Sequence, residues 1–228
     1  APYEIIPWVL AQCATIDEAE CLWQGMHLAG IPFREHLPLA PLHWIVADQK
    51  RCVVIEPMKE GVKIMENPVG VLTNNPPLDF HLTNLRQYLN VTAQPPQDRF
   101  GGEWGLSPFG QGMGAMGLPG DVSPASRFVR AAFHKANSVC EQEESANVSQ
   151  FFHILDSVAM VRGSVLTPEG KCDITSYSCC VNAGTGVYYY KTYDNSRISA
   201  VNLFHEDLER EKVTEYDLVK GPQFYKVN

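Results

Sequence analysis

The sequence predicts an α+β fold in which antiparallel sheets are covered by helices. Three observations carry this. The patterning along the chain runs helices, strands, helices, strands. It shows none of the strand–helix–strand alternation that builds a parallel sheet. And 45% of the 228 residues are hydrophobic, enough for a core in a chain that buries roughly 70% of its unfolded surface.

The first helix is predicted over 3–12, where Ile5, Ile6, Trp8, Val9 and Leu10 are apolar and Pro7 falls near the first turn. Thr15-Ile-Asp-Glu18 is a capping box, each end satisfying an orphan backbone donor of the other. The helix it opens carries Ala19, Leu22, Trp23 and Met26, and Gly30 reads as its stop. From Leu42 the period changes. Runs at 42–47, 52–56 and 62–65 are separated by polar turns and predict an antiparallel meander. A fourth strand is predicted at 69–73, ending in Asn74-Asn-Pro-Pro77, and a short helix over 78–89.

Residues 94–124 combine eight glycines and five prolines with Phe100, Trp104, Phe109, Met113 and Met116. A flexible linker lacks such aromatics, so the stretch reads as a long ordered excursion, functional or interfacial, with a passive crossover as the alternative. Ser123-Pro124 supplies an N-cap and an N1 proline for a helix to about Asn137. A further helix is predicted over 147–161, with Val148, Phe151, Phe152, Leu155, Val158 and Ala159 as its apolar stripe. Strands are predicted at 174–181, 187–193 and 198–203, and a weaker one at 213–218.

Charge and cysteine usage bound the function. With 18 Lys+Arg against 26 Asp+Glu the net charge is −8. Lys50-Arg51 is the longest basic cluster, so a nucleic acid partner is excluded. No apolar run approaches the ~20 residues a membrane helix needs, and no charged start precedes an apolar stretch, so a soluble protein without a signal peptide is expected. Seven cysteines without a C-x-x-C pair read as reduced thiols of a cytoplasmic protein. His27, His36 and His43 do not complete a zinc set. No G-x-S-x-G, P-loop or H-E-x-x-H occurs, and His153 reads as an ordinary helix histidine.

Longer strings are informative. Val71-Leu-Thr-Asn-Asn-Pro76, Phe80-His-Leu-Thr-Asn-Leu85 and Tyr88, Gly117-Leu-Pro-Gly-Asp121, Ser126-Arg-Phe-Val-Arg130, Phe151-Phe-His-Ile-Leu155, Val158-Ala-Met-Val-Arg162, Leu42-His-Trp44 and Tyr188-Tyr-Tyr-Lys-Thr-Tyr193 together resemble the choloylglycine hydrolase family. Within it they are most similar to the conjugated bile salt hydrolases, with penicillin V acylases as the sister group. The resemblance covers essentially all 228 residues. It implies the αββα four-layer sandwich of N-terminal nucleophile hydrolases, with residues 1–228 as the C-terminal portion of a single domain. The catalytic cysteine, a neighbouring arginine and aspartate, and one oxyanion-hole asparagine would lie outside these residues, and none of the seven cysteines here matches the nucleophile. Residues 1–228 alone are therefore expected to be inactive, a structural or assembly fragment of the whole.

Two catalytic positions map onto this sequence by that resemblance. Asn74 matches an asparagine whose side-chain amide helps form the oxyanion hole; on local pattern alone it reads as the cap of an Asn-Pro turn. Arg127 matches an active-site arginine. Read alone it is a solvated first-turn arginine, though the helix dipole there is unfavourable to a cation. The loop between Gly30 and Leu42 would border the pocket, so that Phe33, Leu37 and Ala40 face a steroid or, on the plainer reading, simply pack. The implied activity is hydrolysis of the amide joining glycine or taurine to a bile acid, with penicillin V hydrolysis as the alternative. No metal or organic cofactor is implied, and a homotetramer is, with 94–124 contributing to assembly.

Overall fold

A computed structural model describes residues 1–39 and 41–228; Ala40 lies outside the described residues. The chain divides into two compact units, Ala1–Ala132 and Phe133–Asn228.

The first unit is built on a three-stranded antiparallel sheet, β1 (Trp44–Ala47), β2 (Cys52–Met58) and β3 (Gly61–Glu66), in the order β1-β2-β3. Trp44 pairs with Ile55 and Ile55 with Ile64. The central strand is buried continuously from Val53 to Glu56, because both faces of the sheet are covered. Ile55 packs with Ile5, Val9, Ala19, Trp23 and Trp44. Its neighbour Val54, pointing the other way, packs with Val71, Leu78, Phe128 and Ala132. A strand enclosed on both sides reads as an unbroken apolar run rather than an alternation, which is what Cys52-Val-Val-Ile55 shows.

Two short helices, α1 (Ile5–Leu10) and α2 (Ile16–Trp23), supply the first of these cores. The Thr15 hydroxyl accepts from the Glu18 N–H at 3.3 Å. The Glu18 carboxylate returns to the N–H of Ala14 at 2.7 Å, one residue before the cap. The helix stops at Trp23, not at Gly30: Gln24 is extended, and Gly25, at φ 81°, takes the left-handed conformation that ends helices.

The second core lies under α3 (Leu78–Asn84), a 3-10 turn at Leu85–Tyr88, and the first half of α4 (Pro124–Asn137). The segment 69–73, predicted as a strand, is irregular. Asn67 explains this. Its side chain accepts from the N–H groups of Val69 and Gly70 and donates to the Val71 carbonyl at 2.9 Å. A buried Asx side chain has thus taken the backbone groups a strand ladder would need. The excursion 94–124 holds no helix or strand beyond a 3-10 turn at Met113–Ala115. It is closed at its base by the Thr92 N–H to Gly114 carbonyl bond, 2.9 Å.

In the second unit, α5 (Glu144–Asp156) packs against an antiparallel sheet of β4 (Tyr177–Asn182), β5 (Val187–Thr192) and β6 (Ser199–Asn202). The Glu144 carboxylate accepts from the Tyr189 hydroxyl at 2.9 Å, and Lys191 reaches Asp156 at 2.6 Å. Both ends of α5 are thereby tied to β5. The helix begins three residues before Asn147, whose side chain instead pins Glu141 through two bonds. It ends at Asp156, where the Ser157 hydroxyl takes the Ile154 carbonyl. Of the predicted stripe only Phe152 is fully buried. The segment 213–218 is not a strand. No helix of the described residues is long and apolar enough to cross a membrane.

Candidate active site

Arg127 closes the first turn of α4, its N–H bonded to the Ser123 carbonyl at 2.9 Å, where the helix dipole disfavours a cation. Two acceptors hold it there. Its Nε–H donates to the Val122 carbonyl at 3.0 Å, and Nη2 donates to Asn74 Oδ1 at 2.7 Å. The structure brings together the two residues that the sequence singled out, 53 positions apart. Asn74 is exposed and Arg127 half-buried.

The direction of this bond matters. A guanidinium has donors only, so it selects the amide oxygen of Asn74 and leaves the two Nδ2 hydrogens for another acceptor. Nδ2 makes no hydrogen bond to the described residues. An amide oriented in this way can donate to an oxygen that acquires negative charge, and Arg127 places a permanent positive charge behind it.

Both residues sit on fixed backbone. The Asn74 carbonyl lies 3.2 Å from His81 Nε2, and the hydroxyl of Thr73 reaches the Pro124 carbonyl at 3.1 Å. The turn before α4 is knitted by Asp121. Its carboxylate accepts from the Ser126 hydroxyl at 2.6 Å and the Ser123 N–H at 2.9 Å. Hydrogen bonds from the Ser123 and Ser126 side chains, with the Ser123 N–H behind them, hold its pKa down at about 2. Arg130, buried, donates to the carbonyls of Pro119 and Asp121.

A cavity of about 400 Å³ opens beside Asn75, the residue that follows Asn74. Leu28, Leu39, Leu42, Trp44 and Met58 supply apolar walls, and Asn75, His43 and Glu56 are among the polar residues. Glu56 is 4% exposed; one carboxylate oxygen accepts from the Leu78 N–H at 3.0 Å and the other has no hydrogen-bond partner among the described residues. The loop 28–42 therefore borders a cavity, through Leu28, Gly30, Leu39 and Leu42 rather than its tip. Phe33 and Leu37 are exposed and are not among the lining residues; the Phe33 ring meets Tyr3 edge-on at 5.3 Å. Ala40 lies outside the described residues.

Sequence reasoning missed Thr73, His81 and Glu56. His81 carried a signal: it stands three residues after Leu78, on the face of α3 that is buried in the core. Glu56 carried one too, as a carboxylate closing an apolar strand. Among the described residues no group of three or more His, Cys, Asp and Glu side chains is placed to hold a metal ion.

Residues 1–216 match the family model for linear amide C–N hydrolases, choloylglycine hydrolase family. A bile salt hydrolase/transferase of Lactiplantibacillus plantarum is 49% identical over 227 residues, an alignment covering 100% of this chain and 70% of that protein. A bile salt hydrolase/transferase of Clostridium perfringens is 38% identical, with 99% of this chain and 69% of that one covered. Among solved structures, a mutant conjugated bile acid hydrolase from Clostridium perfringens superposes with a TM-score of 0.91 at 37% identity, over 100% of this chain and 69% of the other. Penicillin V acylase from Agrobacterium tumefaciens shares the fold alone, at TM-score 0.67 and 17% identity, over 92% and 58% of the two chains. The chain belongs to the choloylglycine hydrolase family of linear amide C–N hydrolases, and its mixed helix-and-sheet architecture is that of the N-terminal nucleophile hydrolases.

Proposed function

We propose that the protein hydrolyses the amide bond joining glycine or taurine to a bile acid, with Asn74 in the oxyanion hole and Arg127 orienting it. The observation that carries this is the Arg127–Asn74 bond, which commits the amide oxygen and leaves the amide hydrogens to stabilise an oxyanion. A thiolate attacks the amide carbonyl, the carbonyl π electrons move onto oxygen, and Asn74 Nδ2 donates to that oxygen. Collapse expels the amine, which takes up a proton, and leaves a thioester that water then hydrolyses. The apolar cavity beside Asn75 suits a rigid hydrocarbon skeleton, since such pockets are mostly apolar with a few polar anchors. Phe33 and Leu37, exposed apolar side chains on the same loop, meet the steroid outside the cavity itself; Ala40, expected beside them, lies outside the described residues.

In this reading the nucleophile comes from outside residues 1–228. None of the seven cysteines falls within 67–81 or 117–130, the segments that build the Asn74–Arg127 pair. No metal or organic cofactor takes part. The protein works in the cytoplasm, in keeping with seven cysteines that form no disulfide among the described residues, and without nucleic acid or membrane partners. It assembles as a homotetramer through 94–124, where Phe100, Trp104, Phe109 and Met116 are exposed on an ordered loop.

The test is a parallel assay of the full-length protein with glycocholate, taurocholate and penicillin V. Faster turnover of the bile salts supports the reading. Turnover of penicillin V alone would move the protein to the acylase activity, which the same oxyanion donors could serve. No turnover of any of the three overturns it.

A further inference from the structure

We infer that His81 is a positioning residue of this site: it holds the main chain of Asn74 against the N-terminus of α4, so that the Asn74 amide meets Arg127. This rests on the amide-hydrolase reading above and adds to it a residue that never touches substrate.

His81 is 1% exposed, in the core beneath α3. Its Nε2 lies 3.2 Å from the Asn74 carbonyl oxygen and 3.3 Å from the Thr73 hydroxyl, and that hydroxyl lies 3.1 Å from the Pro124 carbonyl oxygen. One arrangement of hydrogens satisfies all three contacts. Both carbonyls can only accept, so the Thr73 O–H donates to Pro124 and the proton on Nε2 is shared between Asn74 and the Thr73 oxygen. Nδ1 has no hydrogen-bond partner among the described residues.

The ring also stacks on Phe128, the residue after Arg127, with centroids 4.6 Å apart and planes 8° from parallel. His81 therefore touches both halves of the pair, Asn74 through its backbone carbonyl and α4 through the Phe128 ring, while the Thr73 hydroxyl that it bonds reaches Pro124. A side chain kept only for packing would be better apolar, because burying an unpaired imidazole nitrogen costs free energy.

Steady-state kinetics on the full-length protein test this with two variants. His81→Phe keeps the ring shape and the stack but has no donor. His81→Gln places an amide N–H where Nε2 stands. We expect His81→Phe to lower kcat about 10- to 100-fold with KM within about threefold, because displacement of a catalytic group by about 1 Å is enough for such a loss. His81→Gln should recover kcat to within about threefold of wild type. A wild-type kcat in folded His81→Phe, or equal losses in both variants, overturns the inference.

Should His81→Phe fail to fold, Thr73→Val carries the kinetic arm. It removes the shared hydroxyl while leaving His81 in place, and a loss of about 3- to 10-fold in kcat is expected; an unchanged kcat overturns the inference. A crystal structure of whichever variant folds decides independently of turnover. The Asn74 Oδ1 to Arg127 Nη2 contact, 2.7 Å in the native chain, should lengthen by about 1 Å or more, and an unaltered contact would overturn the inference. If the wild type cleaves none of the three substrates, the functional reading fails and the crystallographic result alone decides the role of His81.

Discussion

The Arg127 guanidinium donates to Asn74 Oδ1 at 2.7 Å, and this single bond sets which end of the asparagine amide is available for chemistry. A guanidinium cannot accept, so the arrangement has one polarity. The amide oxygen is consumed and the amide hydrogens are offered. The arginine pays back its unfavourable place near a helix N-terminus by fixing that polarity.

Asn74→Ala removes the offered donor. Loss of one oxyanion-hole donor costs about 10²–10³ in kcat, and we expect a fall of that order in the full-length protein. Asn74 is exposed and outside both cores, so Tm should change little. The check is kcat beside a thermal melt. A kcat equal to wild type removes Asn74 from the site.

Arg127→Lys keeps the charge but loses the planar fork that serves the Val122 carbonyl and Asn74 together. An ammonium reaching one of these acceptors abandons the other, and the Asn74 amide becomes free to rotate. We expect kcat to fall about 10-fold or more with KM less affected. If lysine supports wild-type kcat, Arg127 acts through charge alone.

A polypeptide of residues 1–228 alone should show no amidase turnover, because the proposed site draws its thiolate from elsewhere. Turnover of glycocholate by that polypeptide at a rate above solvent hydrolysis would mean that one of its own seven cysteines reaches Asn74, and the nucleophile would have to be sought among them.

Much of the frame was legible because local patterns and tertiary structure agree. The meander at 44–66 and the three strands of the second unit follow from β-rich runs between polar turns, and Thr15 and Ser123-Pro124 open the helices they were expected to open. The failures have specific causes. The period of the apolar run 69–73 predicts a strand, but the Asn67 side chain takes its backbone partners. Asn147 predicts a helix start, yet it staples Glu141 and the helix begins upstream. Asn74 and Arg127 were found through longer strings that resemble a family. Their partnership, and the parts played by Thr73 and His81, depend on a long-range approach between the 73–81 region and α4 that no periodicity encodes, as that of Glu56 depends on β2 meeting the start of α3.

Asp121 gives a pH dependence with a definite sign. Hydrogen bonds from Ser123 and Ser126 lower its folded pKa to about 2, from an ordinary aspartate value of 3.8. A depressed carboxylate pKa contributes stability above the unfolded value that is lost as pH falls through the folded one. The contribution is therefore complete above about pH 5 and disappears between about pH 4 and pH 2. Denaturant titrations across that range should show the native protein losing stability more steeply than Asp121→Asn. Parallel acid limbs in the two proteins would show that Asp121 is not the titrating group.

Gly114 closes the base of the 94–124 excursion. It is buried, its carbonyl accepts from the Thr92 N–H at 2.9 Å, and a Cβ added to it would stand 2.6 Å from the Thr92 carbonyl oxygen and closer still to that of Gln94. These are backbone atoms, which cannot swing aside as a flexible side chain could. Gly114→Ala must therefore open the base of the loop, a cost on the scale of core overpacking, about 1–3 kcal/mol. Since 94–124 is the proposed assembly surface, the displacement should reach Phe100, Trp104 and Phe109 as well. Sedimentation analysis of Gly114→Ala is expected to show a smaller assembly than the native protein. A native-sized assembly with the expected loss of stability would mean that 94–124 is ordered for reasons other than oligomerisation.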